Sequence, residues 1–342
     1  MSGLGPHGNR RWQWTMIAIA AITGILGVLA LLKATSIPQH PPLKVTIALP
    51  TQMSVGGLFV GQNQHLFEKH GLDVSIQPFI LGKQALQSVL DGKADLAAVA
   101  DTPFMLAIMH GEKIAAVSTI FGSRKSMALV ARRDRGIAKV EDLDGKTVGT
   151  IFGTNAQFFL DKLLLVHGVP KELVKIVGLK PNELVDALVA GRVDAVTVWN
   201  PDLTILDNKL GERAIDLYAE DFFVYRFVLV GKQEYIARHP AEVRQVLFAM
   251  EESTRFIQEH PEQARVIISK SIGIDPVLMS GYFDPNDFYL TLDQTLLLAL
   301  GDQTRWAMKQ GLVPVADVPN YLHYIRQEPL ESVLPSAVKI IR

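Results

Sequence analysis

Two stretches of the sequence have the same pattern: QSVLDGKADLAAVAD at residues 87–101 and DALVAGRVDAVTVWN at residues 186–200. Each begins as an apolar helical segment, reaches a glycine, and continues as a run of small and β-branched residues that ends on a polar side chain. Gly92 corresponds to Gly191, and Asp95 to Asp194. Helix, glycine and strand often follow one another in α/β proteins, so chance is a second explanation. We prefer a repeated α/β unit, which predicts two similar lobes.

The alternation of strand and helix patterns continues on both sides of each repeat. Strand patterns precede the first repeat at residues 44–50 and 72–79, and the second at residues 145–151 and 173–179. Alternating strands and helices are typical of parallel sheets with crossover helices. Open parallel sheets bind ligands beyond the carboxyl ends of their strands. The pattern therefore predicts a cleft between two lobes, lined by the turns that follow the strands.

Composition limits the class of protein. Hydrophobic residues make up 48% of the 342 residues, which is enough for a large core. Lys and Arg number 34 against 35 Asp and Glu, with no basic stretch, so nucleic acid is not an expected partner. The chain has no cysteine, which excludes disulfides, thiolate metal sites, a cysteine nucleophile and a lipid-modified cysteine.

The first 36 residues have the pattern of a signal peptide or signal-anchor. An uncharged apolar run extends from Met16 to Leu32 and follows Arg10 and Arg11. As a helix it would span roughly 26 Å, close to the thickness of the hydrocarbon layer of a membrane. Small residues at 34–36 also suit signal peptidase, so cleavage and anchoring both remain open. In both cases the chain after the proline-rich linker at 37–43 is delivered outside the membrane.

Motifs that would indicate catalysis are weak. DGKT at 144–147 resembles the end of a phosphate-binding loop, but valine stands at 140 where such a loop needs glycine. Ser336 and Lys339 match S-x-x-K without its companion motifs. His65 and His70 are five positions apart and do not share a helical face, so they are poor metal partners. No catalytic set, metal site or cofactor is predicted.

Several segments together resemble a known family, the substrate-binding proteins of ABC importers for nitrate, taurine and aliphatic sulfonates, which is related to the thiamine-pyrimidine precursor binding proteins. They are GLDV, GKADLAAVADTP, DLDGKTVGTIFGTNAQFFLDKLL, GRVDAVTVWNP and YLHYIRQEPLESVLPSAVKIIR. The resemblance implies the α/β type II periplasmic-binding-protein fold, in which the chain starts in one lobe, crosses to the second and returns.

This resemblance also implies domain boundaries. Residues 44–131 would begin lobe 1, residues 132–224 would form lobe 2 with the crossings, and residues 225–342 would complete lobe 1. The crossings are expected near Arg132 to Gly136 and near Asp221 to Val224. The segments SMALVAR and FVYRFVLV, at 126–132 and 223–230, would supply a two-strand hinge.

The turns after the strands provide the candidate ligand contacts. These are Thr51, Gln52, Asp101, Thr102, Gly153, Thr154, Asn155, Trp199, Asn200 and Tyr225. Asp101 is interpreted first as a cap of the helix that it begins, and second as a ligand contact. Trp199 suits either the mouth of the cleft, where its ring would cover an apolar ligand surface, or the core. Arg226 is the cation nearest to the predicted cleft.

The turn GTN at 153–155 is the strongest candidate for a ligand's polar head. Gly153 permits a sharp turn, and the helix that follows leaves free N–H groups in its first turn. These donors and the helix dipole favour a negative or electron-rich group, so we expect the head to dock on residues 154 and 155. The alternative is that Thr154 or Asn155 only caps its own helix.

The resemblance implies an extracytoplasmic solute-binding component of an ABC importer. It would bind a small sulfonate-like or nitrate-like anion, or a related small organic molecule, and would work with a permease and its ATPase. We expect a monomer in the periplasm or on the outer face of the cytoplasmic membrane, anchored there if the N-terminal helix is retained. A membrane-tethered sensor or scaffold, and an exported enzyme of the same fold, are the alternatives.

Overall fold

The computed structural model describes residues 41–341. The predicted signal peptide or signal-anchor lies outside these residues. Within them, no helix combines the length and the apolar character needed to cross a membrane.

The described residues form an α/β structure. Its strands are β1 (Leu43–Pro50), β2 (Leu72–Phe79), β3 (Leu96–Ala100), β4 (Ile114–Ser123), β5 (Met127–Arg132), β6 (Thr147–Thr150), β7 (Lys175–Gly178), β8 (Ala195–Trp199), β9 (Ala214–Leu217), β10 (Tyr225–Lys232), β11 (Phe288–Asp293) and β12 (Val338–Lys339). Its α-helices are α1 (Gly56–Asn63), α2 (Leu66–Lys69), α3 (Gly82–Leu90), α4 (Asp101–Met109), α5 (Asn155–Val166), α6 (Leu184–Val189), α7 (Asp202–Leu210), α8 (Gln233–Arg238), α9 (Pro240–Glu259), α10 (Pro261–Ile272), α11 (Pro276–Met279), α12 (Gln294–Lys309) and α13 (Glu328–Val333).

The strands form two sheets. The first has seven strands in the order β12-β11-β4-β10-β3-β1-β2, and the second has five in the order β7-β6-β8-β5-β9. We call the first sheet with its helices lobe A and the second with its helices lobe B. The central strands β3 and β8 are buried along their whole length, as expected for strands covered by helices on both faces. The predicted two-lobed α/β architecture is confirmed.

The two repeats have the same local geometry. Gly92 and Gly191 have φ values of 73° and 71°, so both end their helices in the left-handed conformation that favours glycine. The side chain of Asp95 accepts a hydrogen bond from the N–H of Thr46 at 2.7 Å, and that of Asp194 accepts one from Thr147 at 2.8 Å. Each aspartate therefore fastens the start of its strand to the parallel strand beside it.

The chain crosses between the lobes at residues 124–126 and again at residues 218–224. The predicted first crossing at Arg132 to Gly136 is wrong, because β5 pairs with β8 and β9 in lobe B. The predicted placement of residues 127–131 in the first lobe is wrong for the same reason. The segment is apolar throughout, and an apolar run carries no signal for the sheet that it joins.

The predicted hinge also needs correction. The segments SMALVAR and FVYRFVLV supply β5 and β10, which lie in different sheets. At the crossing β10 pairs instead with the end of β4, with Tyr225 opposite Ser123. In lobe A, the first crossing segment therefore follows β4 and the second precedes β10.

Glycine allows the returning part of the chain to pack closely on the first part. A Cβ atom on Gly56, at the start of α1, would lie 2.5 Å from the side chain of Ile268 on α10. Ile268 is fully buried. Lobe A therefore depends on contacts between segments far apart in sequence, and its C-terminal helices belong to its core.

Candidate ligand-binding site

A small cavity lies between the two lobes, beyond the carboxyl ends of their central strands. Its volume is about 20 Å³, which is room for about one water molecule. Both lobes contribute to its lining, which consists of Gln52, Leu81, Gly82, Lys83, Ala100, Pro103, Thr154, Asn155, Trp199, Tyr225 and Phe227. The walls of this cavity therefore lie close together, and a larger ligand at this position needs the lobes to separate.

Asp101 is the central acid of this interface. Its side chain is fully buried, and Oδ1 accepts a hydrogen bond of 2.6 Å from Nδ2 of Asn155 in the other lobe. Its Oδ2 faces the guanidinium of Arg226, with an Nη1 distance of 3.4 Å. Burial raises the pKa of Asp101, and the charge of Arg226 and the amide of Asn155 oppose that rise. The preferred interpretation as a helix cap is wrong, because no side-chain cap bond is present at the start of α4.

Arg226 is buried beside Asp101. Only 6% of the residue is exposed, and its Nη2 donates to Oγ1 of Thr295 at 3.2 Å. Successive side chains of a strand point to opposite faces, which explains why Tyr225 lines the cavity while Arg226 does not. The sequence indicated only that this cation was near the cleft. Its burial follows from the neighbours of β10 in the sheet.

Two aromatic rings meet across the lobes. The rings of Trp199 and Tyr225 are stacked, with centroids 6.1 Å apart and an interplanar angle of 16°. The hydroxyl of Tyr225 donates to Oε1 of Gln52 at 3.3 Å, and Nε2 of Gln52 donates to the carbonyl of Ile80 at 3.3 Å. Burial raises the pKa of Tyr225 well above its ordinary value, so its hydroxyl stays protonated. Trp199 is both largely buried and part of the cavity wall, which combines the two interpretations of its role.

The turn at 153–155 divides its two polar side chains between two tasks. Thr154 caps α5, since its Oγ1 accepts from the N–H of Ala156 at 3.2 Å and donates to the carbonyl of Ile151 at 2.7 Å. Asn155 instead reaches Asp101 in lobe A. Gly153 has a φ of 69°, and its N–H is bonded to Oε1 of Gln157. The capping alternative is confirmed for Thr154, while docking of a ligand head at this turn stays a prediction.

Five of the ten predicted contacts are absent from the cavity wall, namely Asp101 and Gly153, described above, and Thr51, Thr102 and Asn200. Thr51 is exposed, and its N–H donates to the carbonyl of Phe79. Thr102 is fully buried in α4. Asn200 accepts from the N–H and the hydroxyl of Thr204, at 3.3 and 2.8 Å, and thereby holds the start of α7.

The sequence analysis missed the part of the wall that follows β2. Gly82 begins α3, where a Cβ atom would lie 3.2 Å from the Cα of Val99, and Lys83 donates to the carbonyl of Phe152 in lobe B at 3.4 Å. Applying the rule of strand carboxyl ends to β2, as to β1 and β3, would have identified this turn.

A second group of contacts joins the lobes along helices α5 and α12. Nε1 of Trp306 donates to Oδ2 of Asp161 at 2.9 Å, and Lys162 pairs with Asp302 at 2.8 Å. The ring of Phe158 meets Trp306 edge to face, with centroids 5.1 Å apart. These contacts also join the two lobes, so they depend on the same closed arrangement.

Known proteins are similar to this chain in sequence or in fold. A Brucella abortus protein that is named provisionally as a binding protein is 26% identical over 221 residues, which are 63% of this chain and 67% of that relative. A Bacillus subtilis protein that is named provisionally as an aliphatic sulfonates-binding protein is 25% identical over 247 residues, 69% of this chain and 72% of the relative. The crystal structure of the periplasmic aliphatic sulphonate binding protein of Escherichia coli matches with a TM-score of 0.74 and 20% identity, over 84% of this chain and 92% of that protein.

The fold also occurs in an enzyme. The crystal structure of a desulfurization enzyme matches with a TM-score of 0.67 at 14% identity, over 86% of this chain and 99% of that one. At this identity the likeness concerns the fold alone, so it does not transfer catalysis.

Residues 52–264, more than half of the chain, match the family described as NMT1/THI5 like. The chain belongs to the NMT1/THI5-like family.

Proposed function

We propose that this protein is the extracytoplasmic solute-binding component of an ABC importer and closes its two lobes on a small molecule. The observation that carries the proposal is the interlobe bond between Asp101 and Asn155, which is buried beside a cavity with walls from both lobes. Such a contact exists only in the closed arrangement. Closure that depends on contacts from both lobes is the hinge mechanism by which two-lobed receptors retain a ligand.

The names of similar proteins support the class of function. The two relatives described above, and the Escherichia coli protein of similar structure, carry names of binding proteins, two of them for sulfonates. The proposal assigns ligand contacts to the residues that the sequence indicated and that line the cavity, which are Gln52, Thr154, Asn155, Trp199 and Tyr225. It also assigns a periplasmic location, a membrane permease with its ATPase as partners, a monomeric state and no catalytic role.

A thermal-shift screen of the full-length protein tests ligand binding. Sulfonates, nitrate, pyrimidines, aromatic acids and amines form the panel, and a ligand that binds only the folded state raises the melting temperature. We expect at least one solute to do so. If no solute of any class does, the receptor function is contradicted.

Replacing Asn155 with alanine tests the site. We expect binding of the solute found in the screen to weaken by about 1 to 3 kcal/mol, because a buried hydrogen-bonding partner is lost. Asn208→Ala is the matched control, since that amide donates to the carbonyl of Thr204 in its own helix. Equal effects of the two substitutions on affinity would place the ligand elsewhere.

Uptake measurements separate a transport receptor from a sensor or scaffold of the same fold. Deletion of the gene in its source organism should abolish high-affinity uptake of the solute, and the wild-type gene should restore it. Unchanged uptake together with measurable binding in vitro would favour the sensor.

A further inference from the structure

Two acids of lobe B meet a tyrosine of lobe A beside the second crossing. Asp207 lies on α7 and Asp216 on β9, and their carboxyl groups are within hydrogen-bond reach of each other. We call these two residues the acid pair. The hydroxyl of Tyr282, in the loop before β11, donates to Oδ2 of Asp207. The hydroxyl of Tyr218, in the crossing itself, donates to Oδ2 of Asp216 at 3.2 Å. One hydrogen bond therefore ties the acid pair to lobe A.

The acid pair has no counter-charge. Within residues 41–341 neither acid forms an ion pair with a cation. Cations on the neighbouring elements are bound elsewhere. Lys209 lies 3.9 Å from an acid of α6, and Arg213 donates to two carbonyls at the end of α7. Arg132 pairs with Asp134, and Arg133 donates to a carbonyl of β9. The other acids on the surrounding elements are Asp186, Asp202, Glu212, Glu220 and Asp284.

Two carboxyl groups in contact without a cation favour a shared proton. Repulsion opposes ionisation of both, so such a pair titrates as a unit. Oδ1 of Asp216 is buried and has no hydrogen-bond partner among the described residues. A proton held between the two groups satisfies a buried acceptor of this kind. Burial raises the pKa of Asp207 to about 7, and the charge of Asp216 adds to the rise.

We propose that the acid pair holds one proton while the lobes are closed and releases it when they separate, so that closure of this protein is linked to proton uptake. The acid pair binds the proton, and Tyr282 connects the pair to lobe A. This inference goes beyond the proposed receptor function, because it concerns the equilibrium between open and closed lobes and applies to the protein without a solute.

The two tyrosines separate the acid pair from a large cavity. The cavity has a volume of about 760 Å³, and its wall contains Tyr218 and Tyr282 but neither acid. Because Tyr282 belongs to lobe A and Asp207 to lobe B, separation of the lobes withdraws the hydroxyl from the carboxyl group. Water then reaches the acid pair, and the pKa of each carboxyl group falls toward its ordinary value near 3.9, since water solvates the charged form.

The direction of the pH effect follows from this difference. The closed arrangement has the raised pKa, so it binds the proton more tightly than the open one. Its advantage is complete below the open value, near 3.9, and is lost as the pH rises through the closed value, about 7. Lowering the pH from 8 to 5 should raise the ratio of closed to open molecules by up to about 100-fold.

A distance measurement between two spin labels tests the inference on the full-length protein without a solute. The chain has no cysteine, so Ile80→Cys and Lys180→Cys provide one label in each lobe. Both residues are exposed and follow β2 and β7, which are edge strands of the two sheets. Double electron–electron resonance should show the shorter distance gaining population as the pH falls from 8 to 5. A distance distribution that is the same at both pH values overturns the inference.

Substitutions in the labelled protein locate the proton. Asp207→Asn replaces the protonated acid with a neutral amide of the same shape, so its distance distribution at pH 8 should match that of the parent at pH 5. Tyr282→Phe removes a bond that joins the lobes only when they are closed, and it should lower the ratio of closed to open molecules at pH 5 by about 5- to 10-fold. A pH dependence that survives Asp207→Asn overturns the inference, as does an unchanged ratio in Tyr282→Phe.

Asp287→Asn is the matched control. Asp287 is a half-buried acid in the wall of the same cavity, burial raises its pKa to about 6, and its hydrogen-bond partner Ser123 lies in its own lobe. The pH dependence of the distance should persist in this variant, and its loss would overturn the inference. Since no solute is used, a protein that binds a solute without proton-linked closure contradicts this inference alone. A protein with proton-linked closure that binds no solute contradicts only the receptor function.

Discussion

Asp101 of lobe A and Asn200 of lobe B occupy corresponding positions at the ends of the two repeats, yet they make different contacts. Asp101 reaches across the interface to Asn155, whereas Asn200 turns back onto Thr204 of its own helix. The strands that lead to them, β3 and β8, are equally buried. The repeat thus forms the same helix and strand twice. Its last polar residue decides whether the hydrogen bond made there stays within one lobe or reaches the other lobe.

The surroundings of the two positions explain the difference. Asp101 has a buried cation beside it, because β10 lies next to β3 and contributes Arg226. The strands beside β8 are β5 and β6, and at the carboxyl end of β8 the register places Met127 opposite Trp199. A neutral amide therefore suits the end of β8, while a carboxylate is tolerated at the end of β3.

The largest effect is expected from alanine at the two corresponding positions. Asp101→Ala should lower the free energy of unfolding by about 3 kcal/mol or more, because it leaves the charge of Arg226 buried without its partner. Asn200→Ala should cost about 1 kcal/mol, the usual cost of losing a capping side chain. Urea unfolding at pH 7 measures both. Equal losses would mean that the ion pair between Asp101 and Arg226 contributes no more stability than the local cap at Asn200.

A smaller difference in stability is expected between alanine substitutions at the two glycines of the repeat. Alanine at Gly92 or Gly191 should cost about 1 to 2 kcal/mol, because both residues have positive φ. At Gly191 the new Cβ atom would also clash with the guanidinium of Arg135 and displace that side chain from Asp194. We therefore expect Gly191→Ala to be the more destabilising in urea unfolding. The reverse order would show that the contact with Arg135 adjusts without cost.

The smallest effect concerns Asp194 and depends on pH. Burial tends to raise the pKa of Asp194, but the N–H of Thr147 and the charge of Arg135 more than offset this, so the pKa is lowered. A lowered pKa stabilises the folded state above the unfolded value, near 3.9, and this stability is lost as the pH falls through the folded value. Asp194→Asn should thus cost about 1 kcal/mol at pH 7, and the difference should shrink below about pH 4.

Asp95→Asn is the counterpart in lobe A. It weakens a similar bond, to the N–H of Thr46, and within residues 41–341 Asp95 has no ion pair with an arginine like that of Asp194. Urea midpoints between pH 3 and pH 7 compare the two variants. A loss at Asp194 that does not change with pH would show that its charge does not contribute to stability.

Much of the fold was predictable because it is local in sequence. The glycines at 92 and 191, the aspartates at 95 and 194, and the apolar runs after them define helix ends and strands through short-range geometry. The site was predictable only in part. Gln52, Thr154, Asn155, Trp199 and Tyr225 do line the cavity. The wall after β2 was missed because the rule for strand ends was not applied there.

The sequence by itself determined the repeated α/β units and the positions of the polar turns, because hydrophobic periodicity and glycine conformation act over a few residues. The tertiary structure alone decided which sheet β5 joins, since an apolar run suits either one. It also decided that Arg226 is buried and that Asp101 binds Asn155 in place of capping α4. Each of these contacts joins residues more than 50 positions apart, and no local pattern specifies which distant side chain will stand opposite a buried charge.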